Sequence, residues 1–153
     1  MHSGNGTYAL VFKTQQTKNI IVGKLGTLKL QPGFYVYVGS AFGPGGLKAR
    51  IGHHCRRSRR LHWHIDYLSK YLPPIEVWYT YDTVHQEHCW SEILGQYRGT
   101  STPLPGFGSS DCCCISHLHF FSVRPSGTYF RRKIHAAIDN HARIYTQKLL
   151  DKI

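Results

Sequence analysis

The sequence predicts a small α/β (α+β) domain with a mainly antiparallel central sheet flanked by helices. Residues 34–39 alternate with the period of a strand, placing Tyr35, Tyr37 and Gly39 on one face and Phe34, Val36 and Val38 on the other. Leu47, Ile51 and Cys55 recur every fourth residue, the period of a helix face. The chain has 153 residues, 41% of them hydrophobic, which suits one domain with an apolar core rather than a disordered chain.

Taken in order, Tyr8 to Phe12 is an apolar run bounded by Gly6 and Lys13 and reads as a strand. Asn19 to Gly23 and Thr27 to Leu30 read as two short strands or one bulged strand, with Gly23 and Gly26 at the bend. Pro32-Gly33 is a turn into the strand Phe34 to Gly39. A loop with Gly43, Pro44, Gly45 and Gly46 leads into a helix from Leu47 to Cys55. Leu61, Ile65, Leu68 and Leu72 mark a second helix, which Pro73-Pro74 stops. Ile75 to Tyr81 reads as a strand. Thr83 to Gln86 has the form of a capping box opening a helix with Glu87 in its first turn and Trp90, Ile93, Leu94 and Tyr97 on its buried side. Residues 98–111 are rich in Gly, Ser, Thr and Pro and form a loop, and His117 to Val123 is a strand. Ile134, Ile138, His141, Tyr145 and Leu149 then predict one basic amphipathic helix from Phe130 to Leu149.

Nineteen Lys and Arg against eight Asp and Glu give +11 at pH 7. Such a field attracts polyanions, and nucleic acid rewards each neutralised phosphate by counterion release. No apolar run is long enough for a bilayer, and the start of the chain lacks signal-peptide anatomy, so an intracellular, cytoplasmic protein with no membrane partner is expected. Five cysteines, three of them adjacent, argue against a disulfide framework and for a reducing compartment. Cys112, Cys114 and His117, with Cys89, suggest zinc. The paired C-x-x-C spacing of zinc sites is missing, so a reduced cluster against the core is the better reading.

Arg50 and His54 are four residues apart, so their side chains can converge on one ligand. The glycine loop before them lacks the ending of a P-loop and reads as a flexible lead-in, although the helix N-terminus is placed to touch a phosphate. The cationic candidates for nucleic-acid contact are Lys48, the run Arg56, Arg57, Arg59 and Arg60, and Arg131, Arg132 and Lys133 near the end. His62 and His64, around Trp63, either contact nucleic acid or hydrogen-bond locally.

Gly6-Thr7-Tyr8, Tyr37-Val38-Gly39, a helical Arg50 and a later helical Glu87, in that order, resemble the GIY-YIG nuclease superfamily. Residues 33–41, His62-Trp63-His64-Ile65-Asp66-Tyr67, and Gly106-Phe107-Gly108 through Asp111-Cys112 to Ser116-His117-Leu118 are similar to its Uri-type branch. These are small proteins catalogued as a domain of unknown function and in some cases joined to endonuclease III-like DNA glycosylases. The resemblance implies a GIY-YIG-like nuclease domain over residues 4–123, and the helical spacing at the end makes residues 124–153 a basic amphipathic helix packed on that domain or extending it. It implies a DNA endonuclease using one Mg²⁺ or Mn²⁺, and a DNA-repair glycosylase as partner. By the same resemblance Tyr8 and Tyr37 are the catalytic tyrosines, Arg50 stabilises charge, Glu87 holds the metal, and His54 fills a frequent fifth position. Two departures stand out: the stretch between Tyr8 and Tyr37 carries an insertion, and Ser109 stands where the branch often has cysteine.

The residue chemistry agrees with those roles. Arg50 offers a permanent forked cation for phosphate oxygens. A phenol with an ordinary pKa near ~10 needs neighbouring cations to act as a base at neutral pH. Mg²⁺ takes few protein carboxylates, so one glutamate suffices. With no obvious base-reading helix, cutting is expected to be structure-selective or weakly selective. The other reading is a DNA- or RNA-binding module without turnover.

Overall fold

The computed structural model describes residues 1–56, 60–109 and 114–149. Arg57, Arg59 and Cys112 lie outside the described residues.

Five antiparallel pairings build a six-stranded sheet in the order β6-β7-β4-β1-β5-β8. These strands are β1 (Gly6–Thr14), β4 (Gly33–Ala41), β5 (Glu76–Thr80), β6 (Thr100–Ser101), β7 (Leu118–Phe121) and β8 (Ile144–Lys148). The insertion between β1 and β4 is a separate hairpin, β2 (Lys18–Val22) with β3 (Gly26–Leu30). The helices are α1 (Gly46–Cys55), α2 (His64–Ser69), α3 (Glu87–Gly95) and α4 (Gly127–Ala137). This is the small mixed fold, with its mainly antiparallel sheet, that the sequence predicts.

Because strand side chains alternate, the central strands feed two cores. One gathers Tyr8, Leu10, Phe12, Tyr35 and Tyr37 with Leu47 and Ile51 of α1, Ile65 and Leu68 of α2, and the inner face of the hairpin. The other gathers Ala9, Val11, Val36 and Val38 with Trp90 and Leu94 of α3 and Phe130 and Ile134 of α4. Each large side chain fully buried in such a core contributes roughly 1.5–3 kcal/mol. The sheet thus separates α1 and α2 from α3 and α4.

Three local expectations are corrected. Cys55 is exposed, and His54 takes the inward position beside Leu47 and Ile51. Buried Tyr8 offers His54 a hydrogen-bond partner, which the apolar pattern does not register. Thr83 does not cap α3, whose N-cap is Gln86. The turn before α3 is organised by Asp82, which accepts from the Val84 N–H, the Gln86 amide and the Ala142 N–H. The helix expected from Phe130 to Leu149 ends at Ala137. Asn140 adopts φ 60° and the chain returns as β8. Ile144, Tyr145 and Thr146 suit a strand, and β5 would otherwise leave one edge of its backbone unpaired. Tyr145 stacks on Tyr79 at 5.3 Å.

The glycine before α1 has a packing reason. Gly46 has φ +57°, and a Cβ there would meet the Ser3 carbonyl oxygen at 2.1 Å. The N-terminal segment crosses here, and the Leu47 N–H donates to the Gly4 carbonyl at 2.9 Å. One N–H of the helix start is therefore already used, which weakens the phosphate-cradle reading.

Candidate active site

The register of β1 against β4 pairs Tyr8 with Gly39 and Leu10 with Tyr37. Tyr8 and Tyr37 are thus diagonal neighbours on one face, with ring centroids 6.4 Å apart. Gly39 leaves room for this pair, since a Cβ there would meet Tyr8 Oη at 2.5 Å. Gly6 has the same kind of constraint on the other side, where a Cβ would lie 1.8 Å from the Thr80 carbonyl oxygen.

Helix α1 lies over this face and brings His54 Nε2 to 2.7 Å from Tyr8 Oη. One turn earlier, Arg50 donates from Nη1 to the Ser40 carbonyl at 3.1 Å and stacks on the Trp63 indole at 4.3 Å. The Arg50 guanidinium also acts on the Tyr8 phenol and favours its charged form. The half-buried Glu87, at the start of α3, lies beside Ser40 and within the field of Arg50. Tyr8, Tyr37, Arg50, His54 and Glu87 therefore come together, and Ser40 adjoins both the arginine and the glutamate.

Burial dominates the electrostatics. It raises the Tyr8 phenol well above its ordinary value, the Tyr37 phenol adds to this, and Arg50 opposes both. Tyr37 is raised by burial and by the Glu87 carboxylate, again against Arg50. Burial also raises the Glu87 carboxyl, although Ser40 and the charges of His88, His85 and Arg50 pull it down. The site thus favours neutral phenols unless more positive charge arrives.

Asp66 is fully buried, and burial alone would raise its carboxyl. Hydrogen bonds from the Trp63 N–H at 2.7 Å, the His62 N–H at 2.8 Å and His53 Nε2 at 2.9 Å outweigh that and hold it below the usual carboxylate range. Asp66 thereby fixes both the start of α2 and the Trp63 ring under Arg50. His64 Nδ1 accepts the Gly108 N–H at 2.8 Å, so this imidazole holds a loop.

The cationic candidates divide between the two faces of the sheet. Lys48, Arg56 and Arg60 are exposed near α1. Arg131, Arg132 and Lys133 belong to α4, across the sheet from the tyrosine pair, and Lys133 lies over the Tyr97 and Tyr129 rings.

A family model described as "Domain of unknown function DUF123" matches residues 7–140. The chain belongs to this family. No curated protein and no solved structure matches it. Among the described residues of this DUF123 chain, no helix is long and apolar enough to cross a membrane.

Sequence reasoning missed Ser40, whose two contacts lie on backbone and side chain and leave no pattern. It left the role of Asp66 open, although a carboxylate inside the His62–Tyr67 stretch of a chain with only eight acidic residues was a signal. It also missed His88. His88, Cys114 and His117 each offer a ligand atom within 4.8 Å of the others. Cys89 is exposed and Cys114 half-exposed, so these two thiols do not form the core-packed cluster expected. The His117 imidazole is pushed down to about 4 by burial and by His88.

Proposed function

We propose that this chain is a divalent-metal-dependent endonuclease of the GIY-YIG type that hydrolyses phosphodiester bonds in DNA. The observation that carries this reading is the contact set of Tyr8 with His54 and Arg50, joined through Ser40 to Glu87. These groups come from β1, β4, α1 and α3, and they supply a proton path, a fixed cation and an acidic oxygen donor.

In this reading the water oxygen bonds to phosphorus while the bond to one ribose oxygen breaks. The proton of the attacking water passes to Tyr8 Oη as the phenol proton passes to His54 Nε2, in the tautomer with its proton on Nδ1. Such a relay suits the geometry because it avoids a free buried phenolate, which burial penalises. The departing oxygen takes a proton from solvent. Arg50, oriented by Ser40 and Trp63, faces the charge that develops on the phosphoryl oxygens. The Glu87 carboxylate and the Ser40 hydroxyl are hard oxygen donors that fit Mg²⁺ or Mn²⁺, and such an ion would add positive charge and acidify bound water.

The substrate is DNA, held through its backbone and cut with structure-selective or weak preference. The DNA-repair context and a glycosylase partner follow from the resemblance alone. Cleavage of labelled single strands, flaps, junctions and duplexes with Mg²⁺ or Mn²⁺ tests the proposal. Arg50→Ala and Glu87→Ala are each expected to lose about a hundredfold in cutting, the cost of removing an electrostatic stabiliser, while still binding DNA. Undiminished cutting by Arg50→Ala would remove the assigned site. Binding without cutting by the wild type would leave a nucleic-acid-binding module, a reading that the burial of both phenols favours.

A further inference from the structure

We propose that His88, Cys114 and His117 form a zinc site beside Glu87, distinct from the oxygen donors assigned to Mg²⁺. Three observations converge. The ligand atoms of these residues lie within 4.8 Å of one another. His88 Nδ1 stands 3.3 Å from Cys114 Sγ. Zinc bonds of about 2.3 Å to sulfur and about 2.0–2.1 Å to nitrogen set a tetrahedral edge of roughly 3.5 Å, so this pair is already spaced for one ion. Glu87 Oε1 stands 3.6 Å from His117 Nδ1 and gives that imidazole the flanking carboxylate that commonly orients metal-bound histidines.

The donor chemistry selects the metal. One thiolate and two imidazoles suit a borderline-soft ion and suit Mg²⁺ poorly. Three protein ligands leave a fourth position open. His88 and Cys114 also line a cavity of about 640 Å³ with Ser91, Glu92, Ile115 and His119. That cavity provides a path for the ion and room for a water or a substrate group in the open position. The ion ties the segment beginning at Cys114 to the first turn of α3, the turn that carries Glu87. The site stands whether or not the chain cuts DNA, because its readout is metal content.

The test uses the full chain purified without chelator from zinc-supplemented cells. Elemental analysis is expected to find about one zinc per chain in the wild type and in Cys89→Ser. Cys114→Ser and His88→Gln, checked for folding by circular dichroism, are expected to lose it at least about tenfold more readily to a weak competing chelator. Cobalt added to the metal-free protein is expected to give a thiolate-to-cobalt absorption band in the wild type and Cys89→Ser, and none in Cys114→Ser. A wild type with no retained zinc and no such band overturns the proposal, as does equal zinc retention in Cys114→Ser. Failure here with intact Mg²⁺-dependent cutting would leave the endonuclease reading standing, and the converse result would leave the zinc site standing.

Discussion

The Tyr8 hydroxyl and His54 Nε2 stand 2.7 Å apart although 46 positions separate them in the chain. The bond crosses from the sheet to the helix above it, and both residues are about 1% exposed, so it is shielded from bulk solvent.

Tyr8→Phe keeps the ring and removes only that hydroxyl. It is expected to cost about 1 kcal/mol of stability and to lower DNA cutting by about a hundredfold or more. His54→Gln should lose a similar factor, and the double variant little more than either, because the pair acts as one unit. Single-turnover cleavage of the four proteins checks this. Losses that multiply would mean that the two groups act separately.

Gly39→Ala reaches the site from the neighbouring strand. The added methyl meets Tyr8 Oη at 2.5 Å and displaces the phenol from His54. Cutting is expected to fall as far as in Tyr8→Phe, with the β1–β4 pairing kept. Activity together with amide-exchange protection of β1 separates a displaced phenol from a broken sheet.

Asp66 gives a pH signature. Its carboxyl lies below the usual range, so its hydrogen bonds stabilise the fold fully above the unfolded value near ~3.9 and fade as pH falls through the lower folded value. Asp66→Asn is expected to lose about 1–3 kcal/mol at neutral pH, with the difference from wild type closing below about pH 4. Urea unfolding at neutral pH and at successive acid values measures it. A gap independent of pH would show that the charge is not what stabilises.

DNA affinity should fall with salt as a straight line on logarithmic axes, with a slope of roughly 0.9 for each phosphate engaged on a duplex. Lys48→Ala, Arg56→Ala and Arg60→Ala are expected to flatten that slope, and Arg132→Ala to leave it unchanged, because α4 lies across the sheet from the site. Fluorescence anisotropy over a salt series reads both. An equal effect from Arg132→Ala would put DNA on both faces.

The strand alternation around Tyr37 was fully legible, since the two cores read the same faces that the pattern predicts. The meeting of the five candidate side chains was legible only through motif order, as no local pattern brings Glu87 near Arg50. What stayed hidden depended on tertiary partners. His54 turns inward because a distant hydroxyl awaits it. The last segment becomes a strand because β5 has an edge to cover, and helical spacing cannot report that edge. Asp82 overrides the Thr83 cap with three hydrogen bonds, one of them to Ala142.

The β2–β3 hairpin closes on itself, and nine residue pairs fix how β1 lies against β4. Alignment of the phenols is therefore set by the ladder. A fluorophore attached to the exposed side chain of Lys24 would leave that ladder in place. That makes the hairpin tip a natural handle for testing whether this domain binds DNA.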